Sequence, residues 1–127
     1  MARILLIEPD RVLGEIYESS LRHRGHEVVW RTSAQAAIAA CDEQLPDAIV
    51  LELQLPSHNG VEFLYELRSY GDLQAVPVIV LSHVPPVLRA LSPVLWEQLG
   101  ISAYLYKPLI KLTDLFRSVD RVLAPAA

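Results

Sequence analysis

Five short apolar runs recur along the chain, and stretches of helix length separate them. The runs are Ile4 to Ile7, Val28 to Trp30, Ala48 to Leu53, Val76 to Leu81 and Ala103 to Tyr106. The first, third and fourth are almost continuous in isoleucine, leucine and valine, which predicts strands buried on both faces, as in a parallel sheet. The second and fifth are shorter or more polar, which is typical of strands at the edges of a sheet.

The stretches between the runs have the apolar spacing of amphipathic helices. Proline interrupts this pattern before the fifth run, so we expect the fourth helix to be short, over about Val94 to Leu99, with Ser92 and Pro93 at its start and Gly100 at its end. The other apolar stripes are Leu13, Ile16, Tyr17, Ser20 and Leu21, ended by Gly25; Ala34, Ala37, Ile38 and Cys41, capped by Ser33; Phe63, Leu64 and Leu67, started by Asn59 and Gly60; and Leu112, Leu115, Phe116, Val119 and Leu123.

Strands that alternate with helices predict an α/β fold with right-handed crossovers and helices on both faces of the sheet. The chain has 127 residues, of which 52% are hydrophobic and 20% charged, and this composition suits one globular domain. We expect a single domain over residues 1–127, with a core over about residues 3–123 and a frayed tail at 124–127.

The formal net charge of -4, without a run of lysine or arginine, disfavours binding to nucleic acid or to an anionic membrane surface. We find no apolar run that could span a membrane and no signal peptide. Cys41 is the single cysteine, so an internal disulfide is excluded. These features together predict a cytoplasmic protein.

Polar residues follow four of the predicted strands where each strand ends. Glu8, Glu52, Ser82 and Lys107 stand at these positions. Because ligand sites of open parallel sheets lie at the carboxyl ends of the strands, we expect these side chains to meet at that end of the sheet. Ordinary salt bridges at that end would give the same pattern.

Four stretches in order, ILLIEPD, PDAIVLELQLPSHNG, VPVIVLS and AYLYKP, resemble the receiver domains of response regulators in two-component and phosphorelay signalling. The resemblance covers nearly the whole chain. It implies a flavodoxin-like three-layer α/β/α sandwich of the (βα)5 type, with parallel strands in the order 2-1-3-4-5. It also implies that Glu8 fills the first acidic position, that Ser82 and Lys107 match the switch hydroxyl and the lysine after strand five, and that Tyr104 is the switch aromatic residue.

The chain departs from the family pattern at three positions of the site. Glu52 occupies the position of the phosphoacceptor aspartate, and Pro9 occupies that of a second acid that binds magnesium. His83 replaces a small residue and is expected to cover the rim of the pocket. Asp10 lies just beyond Pro9, where it would add to the acidic pocket around Glu8 or cap the first helix.

These departures weaken the chemistry of phosphoryl transfer, which depends on positioning and on charge neutralisation by a cation. Pro9 removes an oxygen ligand for magnesium. The extra methylene of Glu52 moves its carboxylate by roughly 1–1.5 Å, a displacement that can cost on the order of 100-fold in rate. We therefore expect weak or absent magnesium binding, no other cofactor, no enzymatic activity and no useful phosphorylation.

Two interpretations of Glu52 remain open at this point. In the first, its carboxylate acts as a permanent, partial mimic of a phosphoryl group, held by Lys107 and Ser82 with Tyr104 turned inward. Alternatively, Glu52 simply forms an ion pair with Lys107 in a relic of the family site.

The leading hypothesis is a pseudo-receiver that acts through protein contacts. The resemblance implies that helix 4, strand 5 and helix 5 meet another signalling protein or a second copy of the domain. The first alternative is a working receiver that uses Glu52 or Asp10 as an atypical acceptor. The second is a flavodoxin-like protein that binds a flavin or a metal. In the metal case, His58 and His83 would join Glu8 or Glu52 around a transition metal. In the flavin case, the acidic loop after the first strand would repel the flavin phosphate.

Overall fold

The computed structural model describes residues 2–85 and 93–124, and the strands of its central sheet alternate with helices as the sequence predicts, whereas a short hairpin before the third helix was not predicted. The strands are β1 (Arg3–Ile7), β2 (Glu27–Arg31), β3 (Ala48–Leu51), β4 (Gln54–Leu55), β5 (His58–Asn59), β6 (Val78–Ser82) and β7 (Ile101–Tyr106). The helices are α1 (Arg11–His23), α2 (Ala34–Glu43), α3 (Gly60–Ser69), α4 (Pro93–Gln98) and α5 (Leu112–Leu123), and a 3-10 turn lies at Gly71–Leu73.

Five parallel strands form the central sheet in the order β2-β1-β3-β6-β7. Strands β4 and β5 form a separate antiparallel hairpin that leads into α3. Numbered among the sheet strands alone, the order is the predicted 2-1-3-4-5, so the flavodoxin-like α/β fold is confirmed. The two runs predicted to be edge strands, now β2 and β7, do lie at the edges.

Each face of the sheet packs against its own helices. On one face, Phe63 and Leu67 of α3 are fully buried together with apolar residues of α2. On the other, Leu21 of α1 and Leu115 of α5 are fully buried against β1, β3 and β6. Burial on both faces explains why these three strands are almost entirely aliphatic.

The predicted helix starts are confirmed by their capping hydrogen bonds. The side chain of Ser33 accepts from the amide of Ala36, and that of Asn59 accepts from the amide of Val61. Gly25 follows α1 with φ at 94°, a conformation that glycine adopts without steric cost. The helices therefore begin and end largely where local chemistry predicts.

Several predicted strand limits differ by two residues. Strand β3 ends at Leu51, because the chain leaves the sheet after it and Leu53 is buried in the turn before the hairpin. Strand β6 begins at Val78 rather than Val76, since Pro77 has no amide hydrogen to donate to the ladder. Strand β7 begins at Ile101 rather than at Ala103, since its ladder with β6 already starts at Val78.

Two residues of the predicted helical stripes are not in the core. Ile16 is 43% exposed and Leu112 is 37% exposed, because each lies at the border of its helix's buried face. The fourth helix begins at Pro93, one residue before the predicted range, and Gly100 follows it with φ at 68°. The predicted Ser92 cap and the end of the tail, 125–127, lie outside the described residues.

Candidate functional site

The carboxyl ends of β1, β3, β6 and β7 bring the predicted polar residues together. The ammonium nitrogen Nζ of Lys107 is 2.8 Å from Oε1 of Glu52 and also donates to Oε1 of Glu8. The side chains of all three residues are at most 4% exposed. The hydroxyl of Ser82 donates to Glu52 as well, so four strand ends contribute to one buried cluster.

Glu52 has both carboxylate oxygens occupied by hydrogen bonds. Oε1 accepts from Lys107 and from the backbone amide of His83 at 3.2 Å. Oε2 accepts from Ser82 and from the backbone amide of Gln54 at 3.1 Å. A carboxylate has about four lone-pair positions, so four donors nearly saturate it.

Glu8 is held by its backbone as well as by its side chain. Its Oε2 accepts from the amide of Asp10 at 3.0 Å, and its backbone carbonyl accepts from the indole nitrogen of Trp30 at 3.0 Å. Trp30 packs directly on Gly14 of α1, where an added Cβ would lie only 2.1 Å from the ring. Glycine at that position lets the indole reach the loop that carries Glu8.

The cluster places two carboxylates against one ammonium, and their pKa values move apart. Burial raises the pKa of Glu8, and the hydrogen bond from Lys107 offsets this only in part. Burial also acts to raise the pKa of Glu52, but hydrogen bonds from Lys107, Ser82 and the backbone outweigh it, so that pKa is lowered. Burial acts to lower the pKa of Lys107, and its hydrogen bonds to both glutamates raise it instead.

The carboxylate of Asp10 binds the first turn of α1. Its Oδ1 accepts from the amide of Leu13 at 2.9 Å, which confirms the predicted cap of α1. The expectation that Asp10 joins the acidic pocket around Glu8 is therefore wrong for its carboxylate. The reason is that the free amides of the first helical turn lie closer to it and bind it.

The magnesium site of the family is a poor fit to these residues. Pro9 offers no side-chain oxygen, and one oxygen of each glutamate is engaged by Lys107. Within residues 2–85 and 93–124, no group of three or more histidine, cysteine, aspartate or glutamate side chains could hold a metal ion. The side chain of His58, named above in the metal alternative, lies outside the described part of the chain.

A chain of hydrogen bonds connects Glu52 with Tyr104. Ser82 donates to Glu52, and its Oγ accepts from the amide of Val84 at 3.0 Å. The hydroxyl of Tyr104 donates to the carbonyl of Val84, and its ring stacks on Trp96 of α4 with the centroids 5.5 Å apart. The start of the loop after β6 thus contacts both the carboxylate of Glu52 and the aromatic residue of β7.

His83, which the sequence analysis placed at the rim of the pocket, lies next to Glu52 and is half exposed. Its side chain is 52% exposed, and Nδ1 is 3.5 Å from Oε1 of Glu52. Sequence reasoning missed the backbone donors of His83 and Gln54, which leave no sequence signal. It also missed Trp30, although a glycine inside a helix beside an aromatic strand residue is a usable signal of close packing.

Comparison with known proteins identifies the family. Residues 4–120 match the family described as the response regulator receiver domain. The chain therefore belongs to the receiver domains of two-component signalling, a family of generally non-enzymatic signalling modules. The predicted family resemblance is confirmed at this level.

The curated relatives are longer than this chain. It is 36% identical over 106 residues to the transcriptional regulatory protein QseB of Haemophilus influenzae, a match that covers 84% of this chain and 46% of that protein. It is 29% identical over 134 residues to the sensory/regulatory protein RpfC of Xanthomonas campestris, covering 98% of this chain and 18% of that protein. The chain thus spans less than half the length of either relative.

Solved structures support the fold. The non-phosphorylated HemR receiver domain from Leptospira biflexa superposes with a TM-score of 0.84 at 24% identity, covering 100% of this chain and 98% of that one. The chemotaxis protein CheY4 of Vibrio cholerae gives a TM-score of 0.83 at 22% identity, with 97% and 99% covered. Among the described residues, no helix is both long and apolar enough to cross a membrane.

Proposed function

We propose that this receiver domain is not phosphorylated and that it signals through protein contacts, with Glu52 as a fixed substitute for a phosphorylated residue. The observation that carries the proposal is the occupancy of the Glu52 carboxylate. Four donors, among them Lys107 and Ser82, bind its two oxygens in a buried site. The groups that would stabilise an incoming phosphoryl group already stabilise this side chain.

Phosphorylation of Glu52 would require several of these bonds to break. An attacking oxygen needs a free lone pair, and the lysine and the hydroxyl would have to move to the phosphoryl oxygens. Pro9 supplies no ligand for the cation that must neutralise the transferred charge. The proposal accordingly has the domain act without magnesium or another cofactor, and it places the domain in the cytoplasm.

The connection from Glu52 to Tyr104 favours a mimic over a relic. A simple ion pair with Lys107 would leave the loop after β6 independent of Glu52, whereas here the loop is bound through Ser82 and Val84. The proposal therefore has Glu52 set the position of Tyr104. The surface of α4, β7 and α5 then contacts another signalling protein or a second copy of the domain.

Intact mass spectrometry after incubation with acetyl phosphate and magnesium tests the proposal. We expect the wild type and Glu52→Asp to stay unmodified or nearly so, and the double variant Glu52→Asp, Pro9→Asp to gain one phosphoryl group. Glu52→Gln is the matched control, since it keeps the shape of the side chain and removes its charge. A phosphoryl group on the wild type that Glu52→Gln lacks would overturn the proposal.

A working receiver with an atypical acceptor is the second candidate, and membership of the family favours it. Under that function the wild type gains a phosphoryl group. Loss of the added mass in Glu52→Gln would assign the acceptor to Glu52, and loss in Asp10→Asn would assign it to Asp10. The present geometry disfavours Asp10, because its carboxylate caps α1.

A further inference from the structure

A second surface lies at the end of the sheet opposite to Glu52. Helices α2 and α3 run back against the direction of the strands, so their C-terminal ends lie where β3 and β6 begin. Between these helix ends is a groove of about 260 Å³. It is lined by residues 41–45 on one side and by Tyr70, Asp72 and Leu73 on the other.

The groove has an apolar floor and exposed apolar walls. Cys41 and Leu73 are each 4% exposed and form the floor, whereas Leu45 is 47% exposed and Tyr70 is 41% exposed. Single exposed apolar side chains are common on protein surfaces and need no explanation. Leu45 and Tyr70, however, flank the same groove, and an apolar side chain of a partner could be buried between them.

The rim of the groove is acidic. Asp42, Glu43 and Asp72 line it, and none of the three forms an ion pair with another residue that the structure describes. Between residues 32 and 88 the chain has seven acidic residues and one basic residue, Arg68. Arg68 forms no ion pair with these three carboxylates in the described part of the chain; its guanidinium donates to the backbone carbonyls of Leu73, Leu99 and Gly100.

We propose that this groove binds a basic segment of a partner protein, with a leucine-like side chain between Leu45 and Tyr70 and lysine or arginine against the acidic rim. Charge complementarity selects this occupant, since an acidic segment would be repelled. A symmetric contact with a second copy would place two acidic rims together, which disfavours self-association here. The inference rests on the proposed action through protein contacts and adds a partner chemistry to it.

Fluorescence anisotropy with a labelled peptide of about ten residues, built from lysine and leucine, tests the groove. We expect saturable binding that weakens as salt is raised, because the rim charges are exposed. The variant Asp42→Asn, Glu43→Gln, Asp72→Asn should weaken binding by about fivefold to tenfold, as expected for three exposed ion pairs. A peptide with glutamate in place of lysine should not bind.

Controls separate the groove from net charge and from folding. The variant Glu15→Gln, Glu18→Gln, Glu97→Gln removes the same charge elsewhere and should leave the affinity unchanged. Tyr70→Ser should weaken binding of the peptide. Measurement of its unfolding midpoint checks that the variant is still folded. Amide chemical shifts of 41–45 and 70–73 should move on titration with the peptide.

Three results would overturn the proposal. The first is that the variant Asp42→Asn, Glu43→Gln, Asp72→Asn binds the peptide as tightly as the wild type does. The second is that the peptide shifts only amide signals of another surface, and the third is that sedimentation shows self-association of the wild type that this variant and Tyr70→Ser abolish. The last result would make a second copy the occupant. Failure of the groove proposal is distinguishable from failure of the proposed function, because the acetyl phosphate experiment tests the Glu52 site at the opposite end of the sheet. A phosphorylated wild type that still bound the peptide would refute only the Glu52 proposal.

Discussion

Lys107 is the cation that both buried carboxylates share, because its ammonium contacts Glu8 and Glu52. Burying three ionised groups costs solvation energy, and their mutual attraction returns it only when the geometry and the remaining hydrogen bonds are good. Here the second oxygen of each glutamate accepts from a backbone amide. The main contribution of Lys107 to stability is therefore that neither carboxylate is buried without a cation.

Replacing Lys107 by methionine should lower the free energy of unfolding by about 3 kcal/mol at neutral pH, since it leaves both glutamates buried without a cation. Urea unfolding followed by circular dichroism measures the loss. The triple variant Lys107→Met, Glu8→Gln, Glu52→Gln should recover part of it, because the uncompensated charges are gone. A loss in Lys107→Met that the triple variant does not reduce would contradict this account.

The proximity of Glu52, Ser82 and Lys107 was predictable, because parallel strands that end at one edge bring their last residues together. Which donors bind which oxygen was not predictable. The amides of Gln54 and His83 are backbone groups, and every residue but proline has one. Only the path of the chain after β3 and β6 directs these two amides towards Glu52.

At the scale of elements, apolar periodicity placed the five strands of the central sheet and the five helices, but it did not place all their limits or the hairpin of β4 and β5. Leu53 belongs to the third apolar run, yet the chain has already left the sheet, and its carbonyl accepts from the amide of Gly60. An added Cβ on Gly60 would lie 2.5 Å from the backbone of Leu53. This contact packs the end of the third apolar run against the start of α3, and it depends on tertiary packing that an apolar count does not contain.

Asp10 is the cap of α1, and its substitution should affect stability and not phosphoryl chemistry. Asp10→Ala should cost about 1 kcal/mol in unfolding free energy, and Asp10→Asn should cost much less, because asparagine caps nearly as well. Neither change should prevent phosphorylation of the Glu52→Asp, Pro9→Asp variant by acetyl phosphate. Loss of phosphorylation in Asp10→Asn without loss of stability would show that Asp10 takes part in the site.

At the scale of the whole molecule, the two ends of the sheet have different chemistry. One end holds the buried cluster of Glu8, Glu52 and Lys107, in which two carboxylates share one ammonium. The other end carries the exposed acidic groove between α2 and α3. The sequence indicated the first through ordered motifs, but it did not indicate the groove, since Leu45 and Tyr70 become neighbours only when α2 and α3 pack together.

The opposite pKa shifts of the two glutamates give global stability a specific dependence on pH. The folded state raises the pKa of Glu8 above its ordinary value of 4.5, so it binds that proton more tightly than the unfolded chain does. The contribution of Glu8 to stability therefore falls as pH rises from 4.5 through the folded pKa. Glu52 behaves in the opposite way: its contribution is present above 4.5 and is lost as pH falls through its lowered folded pKa.

Glu8→Gln should therefore gain stability relative to the wild type as pH rises above 4.5, the ordinary pKa of glutamate. The difference should level off above the folded pKa of Glu8, because both states are then deprotonated. Urea unfolding at a series of pH values from about 4 to about 8 measures it. Glu15→Gln on the exposed face of α1 is the control and should show no such trend. Parallel pH profiles for Glu8→Gln and the wild type would mean that Glu8 does not hold its proton more tightly in the folded state.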